Sequence, residues 1–135
     1  MSNSKGAPSA DEWLREAKAD PSAAECGMYL IHNGTVRQSA RARVRQGQED
    51  AAVVESMNFD YDPVKVERAV ERARQLPGIY YVRAWLNRGR LELGDDIMMV
   101  LIGGDIRPRV VDALQQLVGE LKEHCVSEVE VFRQE

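Results

Sequence analysis

The stretch Asp96-Ile97-Met98-Met99-Val100-Leu101-Ile102-Gly103-Gly104 decides the fold. A strand with one face in water alternates apolar and polar side chains, and this run does not. An almost wholly apolar run predicts a central strand covered on both faces. The glycine pair ends it. Arg107-Pro108 then opens a helix, since proline suits the first helical position. Val110, Val111, Leu114, Leu117, Val118 and Leu121 recur at helical spacing, so this helix runs to Leu121-Lys122 and turns a wide apolar stripe inward.

Upstream, Asp62-Pro63 pairs an N-cap acid with a proline at the first helical position. Val66, Ala69, Val70 and Ala73 continue a second long helix, which Leu76-Pro77-Gly78 stops. Ile79 to Leu86 reads as a strand rich in Tyr, Val and Trp. Cys26 to His32 reads as a short buried strand, and Ala52 to Phe59 as a strand with imperfect alternation. Ser9 to Ala19 reads as a short helix: Ser9 caps it, Glu12 follows at capping-box spacing, and Asp20-Pro21 ends it. Downstream, Val126 to Arg133 alternates, with Val129, Val131 and Arg133 on one face and Glu128, Glu130 and Phe132 on the other. Gly89, Gly94 and Asp95-Asp96 read as turns, residues 38–50 as a mobile loop and residues 1–9 as a disordered tail. The order helix, strand, strand, helix, strand, strand, helix, strand predicts an α+β fold in which two long helices pack on a mixed sheet, forming a single domain over residues 10–135.

Composition narrows the function. The 135 residues are 44% hydrophobic and 30% charged, ordinary for a globular domain long enough to bury a core without disulfides or metal. The net charge of −4 argues against a general nucleic-acid binder. No run is long enough to span a membrane, and residues 1–10 lack the apolar core of a signal peptide, so a cytoplasmic location is expected. Cys26 and Cys125 fit neither a disulfide framework nor a metal motif, and with His32 and His124 they make no zinc spacing, so no metal site is expected. Both cysteines read as small buried residues. There is no phosphate-binding glycine loop, nucleotide fingerprint, nucleophile elbow or His-Glu-x-x-His pattern.

The candidate functional residues are cations. Arg37 follows Gly34 at a strand end and offers a rigid fork of donors for phosphate, with Arg41, Arg43 and Arg45 beyond it. Arg107 opens a helix whose free amides attract anions. Lys122 lies at the far end of that helix, where a cation also favours the dipole without any function. By residue type alone, Arg37 and Lys122 read more readily as solvated surface than as site residues, and Arg107 reads equally well as either.

Three blocks change that balance. Gly34-Thr35-Val36-Arg37 closes the run Gly27-Met28-Tyr29-Leu30-Ile31. The second block is Asn87-Arg88-Gly89-Arg90-Leu91-Glu92-Leu93-Gly94-Asp95-Asp96-Ile97. The third is Arg107 and its helix to Leu121-Lys122, then Phe132-Arg133-Gln134-Glu135. In this order they resemble the large, catalytic (MoaE-like) subunit of molybdopterin synthase, over roughly residues 25 to 135. The resemblance implies an α/β hammerhead-like fold, with Arg37 and Arg107 holding the substrate phosphate or a carrier's terminal carboxylate. Lys122 would be the main catalytic residue and Arg133 a second, charge-only one. It implies conversion of cyclic pyranopterin monophosphate to molybdopterin. The sulfur would arrive as a thiocarboxylate on a small ubiquitin-like carrier subunit. No resident cofactor is implied. The large subunit would form a homodimer within a heterotetramer.

The chain also departs from this family. Ile106-Arg107 and Leu86-Asn87 stand where the family has His-Arg pairs, and Arg88 points to the opposite face of its strand. Arg133 stands where the family has a lysine, a few residues farther from Lys122 than usual. Arginine keeps the charge but does not give up a proton near neutral pH. Ending at Glu135, where the family commonly continues, predicts a more open pocket. The alternative reading is therefore a catalytically impaired relative that binds the carrier or a pterin without turnover.

Overall fold

The computed structural model describes residues 6–39 and 53–133. The expected tail (1–9) falls partly outside the described residues, as does most of the expected loop (38–50) with Arg41, Arg43 and Arg45.

The first helix, α1 (Ala10–Ala19), is capped as its sequence predicts: the Ser9 hydroxyl accepts from the Glu12 amide at 3.1 Å. A short 3₁₀ turn, Pro21–Glu25, leads into β1 (Met28–Thr35). Then come β2 (Val54–Tyr61), α2 (Pro63–Arg74), β3 (Ile79–Leu86), β4 (Gly89–Glu92), β5 (Asp96–Gly104) and α3 (Arg107–Glu120). A π turn, Leu121–Cys125, joins α3 to the last strand, β6 (Val126–Phe132).

β5 is the central strand of its sheet, in the order β1-β5-β3, and it is buried from Ile97 to Gly104. Its pleat feeds two cores. Met98, Val100 and Ile102 join the main core with Val110, Ala113 and Leu117 of α3. Met99 and Leu101 face the other way, against Trp13 and Ala17 of α1. Cover on both faces explains the unbroken apolar run. Gly104 permits the tight turn into α3, since a Cβ there would lie 2.6 Å from the Gly78 carbonyl oxygen and 2.8 Å from Val110.

The α+β class holds, with two long helices against sheet. The single mixed sheet does not. Among the described residues there are two three-stranded sheets, β1-β5-β3 and β4-β2-β6, and every pairing is antiparallel. An apolar run reports how many faces are covered; it does not report the direction of its neighbours. The expected turn at Gly89 is a strand as well. Gly89–Glu92 pairs with Ser56–Phe59, and Gly89 takes a φ of +100° at its start. Leu91 is fully buried, and that apolar anchor holds so short a strand in place.

Cys125 is buried as expected, whereas Cys26 is only half-buried. Among the described residues no helix is long and apolar enough to cross a membrane.

Candidate functional site

The seam between the two sheets holds a cavity of about 190 Å³. β1 and its exit supply His32, Gly34, Thr35 and Arg37, and the start of β5 supplies Ile97 and Met98. β2 gives Met57, the π turn gives Lys122, and β6 gives Glu128 and Glu130. His32 and Glu130, 98 positions apart in sequence, thus meet in one wall system.

Arg37 is held by its neighbour. Val36 is buried, its amide donates to the Asp95 carbonyl at 3.0 Å, and its carbonyl accepts from the Gly94 amide at 2.8 Å. This clamps the end of β1 onto the turn before β5 and leaves the Arg37 side chain at the cavity mouth. Gly34 is not required by crowding. A Cβ there would meet Met98 and His32 at 3.6 and 3.7 Å, ordinary contact distances, so the glycine simply keeps the floor of the cavity open.

Lys122 reaches the cavity because the helix does not end regularly. A π turn inserts an extra residue and re-aims the chain, a distortion often found at functional sites. Leu121 and Cys125 are buried on either side and fix it. The Lys122 ammonium then lies 3.7 Å from a Glu128 carboxylate oxygen, with side chains 36% and 7% exposed respectively. So small an exposure for Glu128 requires compensation, because an isolated buried carboxylate is costly.

His32 was not singled out by the sequence. Burial first, and then the charge of Lys122, pushes its imidazole below the usual range, so the ring is neutral near pH 7. The available signal was a polar side chain in an apolar strand, two residues before Gly34 and on the same face. Glu128 and Glu130 were also missed as site residues, although their shared face was legible.

Two expected site residues lie elsewhere. Arg107 is exposed at the start of α3, which is 14 residues long, so about 21 Å of helix separates it from Lys122. Asp105 already serves that helix start: its carboxylate accepts from the Ile106 amide at 2.6 Å and from Arg109 at 2.8 Å. Arg133 follows β6, exposed, with its amide donating to the Val53 carbonyl at 2.8 Å. It does not line the cavity, whose β6 residues are Glu128 and Glu130. At the third departure, Asn87 is buried and structural, its amide group donating to the Asp96 carbonyl at 2.9 Å. Arg88 is drawn away from the cavity, pairing with Asp60 at 2.6 Å and stacking 4.4 Å from the Tyr61 ring centre.

The family model described as MoaE protein matches residues 7–124. The chain belongs to the MoaE family. With that membership comes the large-subunit role in molybdenum cofactor biosynthesis. The matched span includes Arg37, Arg107 and Lys122 and leaves Arg133 outside it. No curated protein sequence matches the chain. Among solved structures, it is similar to molybdopterin synthase from Staphylococcus aureus, at 15% identity and a TM-score of 0.70, covering 96% of this chain and 90% of that one. A complex of subunits 1 and 2 of the molybdopterin-converting factor from Helicobacter pylori gives 15% identity and a TM-score of 0.65, covering 97% and 84%. Molybdopterin cofactor biosynthesis protein E from Burkholderia multivorans gives 20% and 0.65, covering 93% and 82%. At these identities the structural likeness concerns the fold.

Among the described residues no three metal-ligating side chains converge. The chemistry on offer is a guanidinium, an ammonium, a neutral imidazole and two carboxylates around one small cavity.

Proposed function

We propose that this chain is the catalytic large subunit of a molybdopterin synthase. Its cavity takes cyclic pyranopterin monophosphate and the thiocarboxylate tail of a small ubiquitin-like carrier subunit. The observation that carries this reading is the meeting of Arg37 and Lys122 in one cavity. Both are cations suited to anionic groups, and the substrate and the carrier tail each bring one. Arg37 supplies a planar fork for phosphate. Lys122 supplies a point charge that stabilises negative charge developing on the reacting groups.

The cavity is not simply basic. Arg37 and Lys122 contribute +2 and Glu128 and Glu130 contribute −2, so the charged lining residues named here sum to zero. Anion binding therefore rests on local geometry rather than on a broad positive field. An arriving phosphate or thiocarboxylate competes with Glu128 for the Lys122 ammonium.

Arg107 serves this reaction from a second chain, in a homodimer at the centre of a heterotetramer, since its own cavity lies a helix length away. Arg133 lends at most distant charge.

One observation favours the second reading, a relative that binds without turnover. Where the family resemblance places a second lysine, this chain offers Arg133, which does not line the cavity. The test is a synthase assay on the purified chain with cyclic pyranopterin monophosphate and thiocarboxylated small subunit, following molybdopterin as its fluorescent oxidation product. Product is expected. Carrier binding without product would establish the non-catalytic reading instead.

A further inference from the structure

Sulfur delivery from a thiocarboxylate leaves a specific chemical problem. Once the sulfur bonds to the pterin side chain, the carrier's acyl group remains attached to that sulfur. Its release consumes one water: the acyl carbon–sulfur bond breaks, a carbon–oxygen bond forms, and the products are a carboxylic acid, which ionises, and a thiol. No oxidant or reductant is needed. Water is a weak nucleophile for this step, and a base that accepts its proton speeds the attack.

The residues lining the cavity narrow the choice of base. Arg37 does not accept a proton near neutral pH. Lys122 is paired with Glu128, and the carboxylates of the lining are of a type ordinarily less basic than an imidazole. The chain has two histidines, and the other, His124, lines a separate surface hollow with Asp62, Lys65 and Cys125. His32 lies in the cavity wall between Gly34 and the reach of Lys122, on the same strand that delivers Arg37.

We propose that His32 is a further catalytic residue of this site, the general base for water attack on the acyl–sulfur bond. Its ring takes a proton from water as the oxygen adds to the acyl carbon. It then returns that proton to the departing sulfur, while Lys122 stabilises the negative charge on the acyl oxygen. The role rests on the synthase reading given above. The charged groups that line this cavity with His32 are Lys122 from the π turn, Arg37 beyond β1, and Glu128 and Glu130 from β6. Burial and Lys122 both keep the ring neutral, the form a base requires. The sign follows: activity is full above the lowered pKa of the ring and falls as pH drops through it.

The experiment measures turnover against pH for the full chain with cyclic pyranopterin monophosphate and thiocarboxylated small subunit. His32→Gln and His32→Ala are run beside the parent, with thermal melts to confirm folding. Both variants are expected to lose about 10²–10⁴-fold in kcat with KM within twofold, and the acid limb should vanish. Added free imidazole should restore part of the His32→Ala rate. Should an active parent and a folded His32→Gln variant agree within twofold in kcat with the same acid limb, the base role is overturned and the synthase reading stands. Should the parent form no product, the synthase reading falls and this role falls with it. If both variants fail to fold, a ring titration of His32 by NMR in the parent decides. A ring pKa at or above the ordinary 6.5 would overturn the proposal, and one below it would support it.

Discussion

The two ends of α3 look alike in sequence and differ in the structure. Each carries a cation, Arg107 at the start and Lys122 just past the end, and each reads as an anion site. At the start, Asp105 from the same chain turn already accepts the Ile106 amide and Arg109, and Arg107 is exposed. At the end, the π turn swings Lys122 against β6, where the nearly buried Glu128 meets it. A helix-end charge joins a site only when a second element closes over it. The sheet β4-β2-β6 does that at one end of α3 and not at the other.

The largest effect that sharpens this contrast is on Lys122. Lys122→Ala should lower kcat by about 10³-fold, the scale for losing one donor aimed at developing charge, as measured in the synthase assay. Turnover within threefold of the parent would remove Lys122 from the chemistry. Next comes the residue that seats it. Leu121 is fully buried, and Leu121→Ala should cost about 2–5 kcal/mol in urea denaturation. A cost under 1 kcal/mol would mean that the π turn is not packed as described.

Arg107→Ala should cost about tenfold in turnover, comparable to the loss of one exposed charge contact. It should also show complementation. Mixed dimers with Lys122→Ala contain one cavity with both cations intact if Arg107 acts on the other chain, so mixing the two variants should regain activity. No recovery on mixing would break the cross-chain assignment. The smallest effect is at position 133. Arg133→Lys should leave turnover within twofold, because Arg133 follows the end of β6 and does not line the cavity. A tenfold gain would show instead that position 133 reaches the reacting groups.

Much of the fold was legible because its signals are local. Ser9 and Asp62 cap helices through their own side chains, and both caps form as their spacing predicts. β5 announces its double cover through composition alone. β4 was not legible: four residues beginning at a glycine carry no periodicity, and pairing with β2 makes them a strand. The mixed sheet failed for a related reason, since strand direction is set by which segments meet across the chain.

For the site, the sequence determined the residue types, namely an arginine at a strand exit, a lysine past a helix and two glutamates on one strand face. It also contained the family, through blocks whose order survives divergence. The tertiary structure decided which of these meet. It brought His32, Arg37, Lys122, Glu128 and Glu130 into one cavity and left Arg107 and Arg133 outside it. The physical reason is that side-chain chemistry is written residue by residue, whereas proximity between β1 and β6 depends on two sheets packing across a seam that no local pattern encodes.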